Sequence, residues 1–145
     1  MSEEAAVVQL PSQPSGAVRD PQVIRVLVID DSNTIRRSAE IFLKQGGCEV
    51  VLAEDGFDAL AKVSDHRPDV IFCDILMPRL DGYQTCAIIK RNPEFAAVPV
   101  IMLSSKDGLF DKARGRMVGS QDYLTKPFTK DQLLQAVYLH RRVPA

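Results

Sequence analysis

Four apolar runs in this sequence are followed, at once or within a few residues, by side chains suited to holding phosphate or a hard metal ion. Asp30-Asp31 follow Ile24–Ile29, Asp74 follows Val70–Cys73, Ser104 follows Val98–Leu103, and Lys126-Pro127 come shortly after Asp122–Leu124. Three carboxylates brought together repel one another, and without a cation at least one is driven toward its protonated form. A hard divalent ion relieves that repulsion. Few side-chain ligands and open positions favour magnesium, which keeps several waters and commonly bridges carboxylate to phosphate oxygen. Lys126 would then neutralise phosphoryl charge as a compact ammonium, and Ser104 could donate a hydrogen bond to another phosphoryl oxygen. Such a pocket suits in-line transfer of a phosphoryl group to a carboxylate, with Asp74 as the expected nucleophile. Singly the signals are ordinary, since an Asp-Asp pair after a strand is more often a helix cap and Lys-Pro a turn into a helix. Their joint arrival on one rim is what points to a site.

The elements that must carry these residues are legible in the hydropathy pattern. Ile24–Ile29, Glu49–Ala53, Val70–Cys73, Val98–Leu103 and Asp122–Leu124 are short apolar runs of the kind expected for strands of a parallel sheet covered on both faces. Between them lie amphipathic segments. In the clearest, Ser32 to Gln45, Ile35, Ala39, Phe42 and Leu43 share one face, with Ser32 as N-cap and Gly46-Gly47 as the stop. Phe57–Asp65, Tyr83–Arg91 and Asp131–Arg141 read as further helices, and a less sharply patterned one is expected between Asp107 and Met117. Regular β-α alternation predicts an α/β fold, a doubly wound five-stranded parallel sheet of the flavodoxin-like order 2-1-3-4-5. In such sheets ligands bind outside the carboxyl ends of the strands, which is where the polar residues fall.

Residues 1–22, with Pro11, Pro14, Pro21, Ser12, Ser15 and Gly16, read as a flexible leader, and residues 23–143 as one domain. The 145 residues suffice for a single core. Charged residues make up 26% and leave a net charge of -1, so no global field recruits nucleic acid or an acidic membrane surface. No apolar run approaches the ~20 residues that cross a bilayer, and the acidic Ser2-Glu3-Glu4 is unlike a secretion signal, so a cytoplasmic protein without membrane insertion is expected. Cys48, Cys73 and Cys86 lack the spacing of a zinc site or disulfide framework and read as reduced thiols, Cys73 and Cys86 as small core residues. His66 and His140 read as incidental, and Arg36, Arg37, Arg79, Lys90 and Arg91 as solvated charges.

Val28-Ile29-Asp30-Asp31-Ser32, Asp74-Ile75-Leu76-Met77-Pro78 with Leu80-Asp81-Gly82, Met102-Leu103-Ser104-Ser105 and Tyr123-Leu124-Thr125-Lys126-Pro127-Phe128 together resemble the receiver domains of bacterial two-component response regulators, of the chemotaxis type. The resemblance runs from about Ile24 to Arg141. It implies a phosphoacceptor signalling protein, not an enzyme in its own right, whose Asp74 takes phosphate from the histidine kinase of a chemotaxis-like system. It also implies that Asp31, Asp74 and the Leu76 carbonyl bind magnesium directly, with Asp30 helping through water, and that Lys126, Ser104 and Tyr123 couple the phosphate to a switch. Met77–Cys86 and Ser104–Lys112 are most similar to the single-domain regulators of type IV pilus twitching motility. Only Val143-Pro144-Ala145 follow the last helix, so no output domain is expected, and signalling would proceed by docking a target on the face of the fourth helix, fifth strand and fifth helix. In this family Leu76 and Lys106 flank the path of the hydrolytic water, and neither is the polar, acidic type that speeds self-dephosphorylation, so a slow loss of phosphate is expected.

Two other classes compete. A phosphatase of the haloacid-dehalogenase type also uses strand-end aspartates, a hydroxyl, a lysine and magnesium, but needs Asp-x-Asp after strand one, which Asp30-Asp31-Ser32 lacks. A phosphorylation-independent binding module with a vestigial acidic pocket is the second. A nucleotide site is disfavoured because no glycine-rich loop follows strand one.

Overall fold

The computed structural model describes residues 20–105 and 111–141. Strands and helices alternate through β1 (Arg25–Ile29), α1 (Asn33–Gln45), β2 (Glu49–Ala53), α2 (Gly56–His66), β3 (Val70–Asp74), α3 (Gly82–Arg91), β4 (Val100–Ser105), α4 (Lys112–Val118), β5 (Asp122–Lys126) and α5 (Lys130–His140). The strands form one parallel sheet in the order β2-β1-β3-β4-β5, the order expected from the sequence. Because successive strand residues point to opposite faces, each apolar run feeds two cores. Leu27, Ile29, Ile71, Cys73, Val100 and Met102 pack with Ala59 and Val63 of α2 and Tyr83, Cys86 and Ile89 of α3. Val26, Val28, Val70, Phe72, Ile101 and Leu103 face Ala39 and Leu43 of α1 and Leu133, Ala136 and Val137 of α5. Hence β1 and β3 are buried throughout, whereas the edge strands β2 and β5 are largely half-buried.

The expected helix signals are realised at α1: Ser32 Oγ accepts from the Ile35 amide and Gly46 is the C-cap. Elsewhere the bounds move. β4 begins at Val100, not Val98, because Pro99 has no amide to donate; its carbonyl instead accepts from Ile71 N at 2.9 Å. β3, β4 and β5 each run on to include Asp74, Ser104 and Lys126, so these groups sit on strand ends and not in loops. α4 is the shortest helix described, capped by Asp111 and starting at Lys112; the expected start near Asp107 lies outside the described residues, as do Lys106, residues 1–19 of the expected leader and residues 142–145. Leu139 of α5 is 74% exposed. Cys48, Cys73 and Cys86 are free and buried.

Arg25 is the charged residue of the first apolar run, and it is buried. Its Nε donates to Glu49 Oε1 at 2.9 Å and its guanidinium to the His66 carbonyl, while its amide donates to Asp69 Oδ2 at 2.8 Å. These bonds satisfy a charge that would otherwise be costly to remove from water.

Candidate functional site: an acidic pocket at the carboxyl ends of the strands

Parallel register decides which residues meet. Ile29 of β1 is level with Cys73 of β3, so the next residues, Asp30 and Asp74, emerge side by side. Asp74 in turn is level with Leu103, and Ser105 with Lys126, which brings Ser104 and Lys126 to the same rim. Lys126 Nζ lies 3.0 Å from Asp74 Oδ1 and 3.1 Å from Asp30 Oδ2. Carboxylate oxygens of Asp30, Asp31 and Asp74 fall within 4.8 Å of one another. A cavity of about 160 Å³ opens here, lined by Asp31, Asp74, Ile75, Leu76, Ser104 and Lys126 among others. Every residue that the sequence marked for phosphate or metal is therefore present at one place, Tyr123 lying farther along β5.

Burial, together with the charge of Asp30, pushes the Asp74 carboxyl up to about 7, against the pull of Lys126. Burial tends to lower Lys126, but Asp30 and Asp74 outweigh it and the ammonium is held above its ordinary range. One ammonium is thus too little charge for the carboxylates around it. The donor set fits a hard divalent cation: all oxygen, with an exposed Asp31 beside two buried aspartates and open room for water.

The loops that aim these groups are tied down. Asp30 Oδ1 accepts from Ser32 N at 2.9 Å, its amide donates to the Ala53 carbonyl at 3.1 Å, and its own carbonyl accepts from the Arg36 guanidinium. Asp30 is fully buried and its carboxylate is held by protein donors. After Asp74 the chain returns so closely that a Cβ at Gly82 would lie 2.2 Å from the Asp74 carbonyl oxygen, and Gly82 N donates to Ile75 O at 2.8 Å. Asp81 then caps α3 reciprocally with Gln84.

Four side chains expected to be solvated or incidental make specific contacts here. Arg36, half-exposed, also holds the Asp30 turn. Lys90 Nζ donates to the Val98 and Ala96 carbonyls, and Arg79, its side chain 64% exposed, pairs with Asp55 Oδ2 at 3.0 Å. His140, read as incidental, lies 2.9 Å from Asp122 Oδ2 and ties the end of α5 to β5. Each of these is a long or polar side chain reaching across sequence, which no local pattern announces.

Ser104 is buried and donates to the Ser105 carbonyl at 3.3 Å. It shares a sheet face with Met102, two residues earlier, and Tyr123 packs against the core cluster that contains Met102. Tyr123 is half-buried, with the Lys112 ammonium 5.5 Å from its ring centre, beside a groove lined by Lys112, Arg116, Ser120, Gln121 and Asp122.

Fold and site together define a phosphoacceptor-type α/β domain, and residues 26–138 match the response regulator receiver domain; the chain belongs to that family. It is a receiver-domain response regulator, a signalling protein, and the haloacid-dehalogenase reading is set aside. It is 67% identical over 117 residues to protein PilG of Pseudomonas aeruginosa, covering 81% of this chain and 87% of PilG. Protein PilH of the same organism is 38% identical over 113 residues, covering 78% of this chain and 93% of PilH. Among solved structures, the Vibrio cholerae chemotaxis protein CheY4 is similar with a TM-score of 0.77 and 33% identity, covering 81% of this chain and 98% of that one. No described helix is long and apolar enough to cross a membrane.

Proposed function

We propose that this chain is a cytoplasmic response regulator, with a receiver domain over residues 23–143, that accepts a phosphoryl group on Asp74 from the histidine kinase of a chemotaxis-like system. An Asp74 carboxylate oxygen forms a bond to phosphorus as the bond from phosphorus to the kinase imidazole breaks, giving an acyl phosphate. The observation that carries this reading is the Lys126 ammonium bonded to both Asp30 and Asp74 in an acidic pocket. Asp31, Asp74 and the Leu76 carbonyl would hold magnesium, with Asp30 beside them. When bound, the ion supplies the positive charge that the carboxylates and phosphoryl oxygens require. Lys126 balances the remaining phosphoryl charge, and Ser104 donates to a phosphoryl oxygen.

A phosphoryl group brings about −1.5 to −2 charges and three strong acceptors. Ser104 turning toward it would vacate the space behind, Tyr123 would rotate inward, and the face of α4, β5 and α5 would be reshaped for a target. The likeness to PilG and PilH supports a place in type IV pilus twitching motility. Leu76, unable to hydrogen-bond an attacking water, favours a long-lived phosphate.

Acetyl phosphate with magnesium, followed by intact-mass measurement, tests the reading directly. Wild type should gain the mass of one phosphoryl group and Asp74→Ala none. An unlabelled wild type would instead favour a phosphorylation-independent binding module.

A further inference from the structure

The loop between β3 and α3 presents Leu76 to the pocket and is anchored unevenly. Ile75 and Met77 are buried, and Asp81 is locked into its capping box. Between these anchors stands Arg79, with φ +70, a left-handed backbone that a side chain bearing Cβ adopts at a cost. The Leu80 amide donates to the Pro78 carbonyl at 2.7 Å, closing the turn around Arg79. From this crest Arg79 reaches across to α2: Nη2 is 3.0 Å from Asp55 Oδ2, and the guanidinium carbon sits 5.5 Å from the centre of the Phe57 ring. Asp55 spends its other oxygen on capping α2, accepting from Asp58 N at 2.7 Å. One carboxylate thus fixes both the start of α2 and the crest of the loop.

We propose that Arg79 is a positioning residue: its clamp on Asp55 and Phe57 holds the loop so that the Leu76 carbonyl faces the cation site formed by Asp31 and Asp74. The inference rests on the magnesium site of the proposed function. It assigns to Arg79 a role against the direction of its charge. A cation near a dication site weakens metal binding by repulsion, so removing it should tighten binding if charge alone mattered. If the clamp positions a ligand, removing it loosens binding.

The test is a magnesium titration of the full chain, followed by amide NMR shifts of the β3–α3 loop. Arg79→Ala and Arg79→Gly should each bind magnesium about tenfold more weakly than wild type, the range for losing an orienting contact behind a metal ligand. Glycine relieves the backbone cost at φ +70, so a loss in Arg79→Gly isolates the side-chain clamp from strain. Arg79→Lys should recover part of the affinity. Asp55→Asn keeps a cap for α2 but loses the ion pair, and the double variant Arg79→Ala with Asp55→Asn should be no weaker than the worse single one. Equal or tighter binding in Arg79→Ala, or full additivity in the double variant, overturns the clamp. A wild type that binds no magnesium and takes no phosphate overturns the underlying reading instead, so the two failures are told apart.

Discussion

Lys126 Nζ stands 3.0 Å from Asp74 Oδ1 while still bonded at 3.1 Å to Asp30 Oδ2, so one ammonium at the end of β5 spans the ends of β3 and β1. Its side chain is only 14% exposed, so its charge acts in a poorly screened setting. Replacing Lys126 by alanine should slow labelling by acetyl phosphate roughly a hundredfold, the cost of losing a preorganised charge partner. Lys126→Arg should restore only part, since a planar fork cannot replace a compact point charge. Time courses of intact mass under magnesium would check both.

Magnesium and pH should act on stability together. In the metal-free protein Asp74 keeps its proton until about pH 7, whereas the unfolded carboxyl releases it near 3.8. The folded state therefore binds more protons across that window, and this group's contribution to stability falls as pH rises from about 4 to about 7. The proposed magnesium would bind the deprotonated form, so its stabilisation should be larger at pH 8 than at pH 5. Thermal unfolding with magnesium against a chelator measures it; equal gains at both pH values would contradict the linkage.

Gly82 is required by contact. A methyl group there would press on the Asp74 backbone oxygen at 2.2 Å, which cannot yield without moving the end of β3. Gly82→Ala should cost about 2–3 kcal/mol in urea unfolding. Gly56→Ala should cost less, because its added Cβ meets side-chain atoms of Thr85 and Leu80 and no backbone.

The proposed switch predicts a spectroscopic change. Beryllofluoride with magnesium should move the Tyr123 ring resonances in wild type and leave them nearly unmoved in Ser104→Ala, because the alanine offers no hydroxyl to the phosphoryl mimic. A Tyr123 signal unchanged in wild type would remove the coupling.

Fold and pocket were legible for the same reason: the chemistry hangs on the ends of apolar strands, whose runs are easy to read and whose parallel register aligns their last residues. Asp30, Asp74, Ser104 and Lys126 could be named without coordinates. What stayed hidden depends on contacts between distant residues. Arg25 and Asp69 meet across 44 positions, Arg79 and Asp55 across 24, and His140 and Asp122 across 18. Nothing in the local composition of any partner announces the other. The shift of β4 by two residues, by contrast, was available in principle from Pro99, which removes one ladder donor.

β5 is an edge strand, bonded to β4 on one side, and none of its residues is fully buried. It nonetheless carries Lys126 at its tip and Tyr123 in its middle. Any protein gripping that border from outside leans on the back of the proposed phosphoryl site, and thermodynamic reciprocity then applies. A target that prefers the phosphorylated form must favour phosphorylation at equilibrium by the same factor, so listener and message would stabilise each other through one short ribbon of backbone.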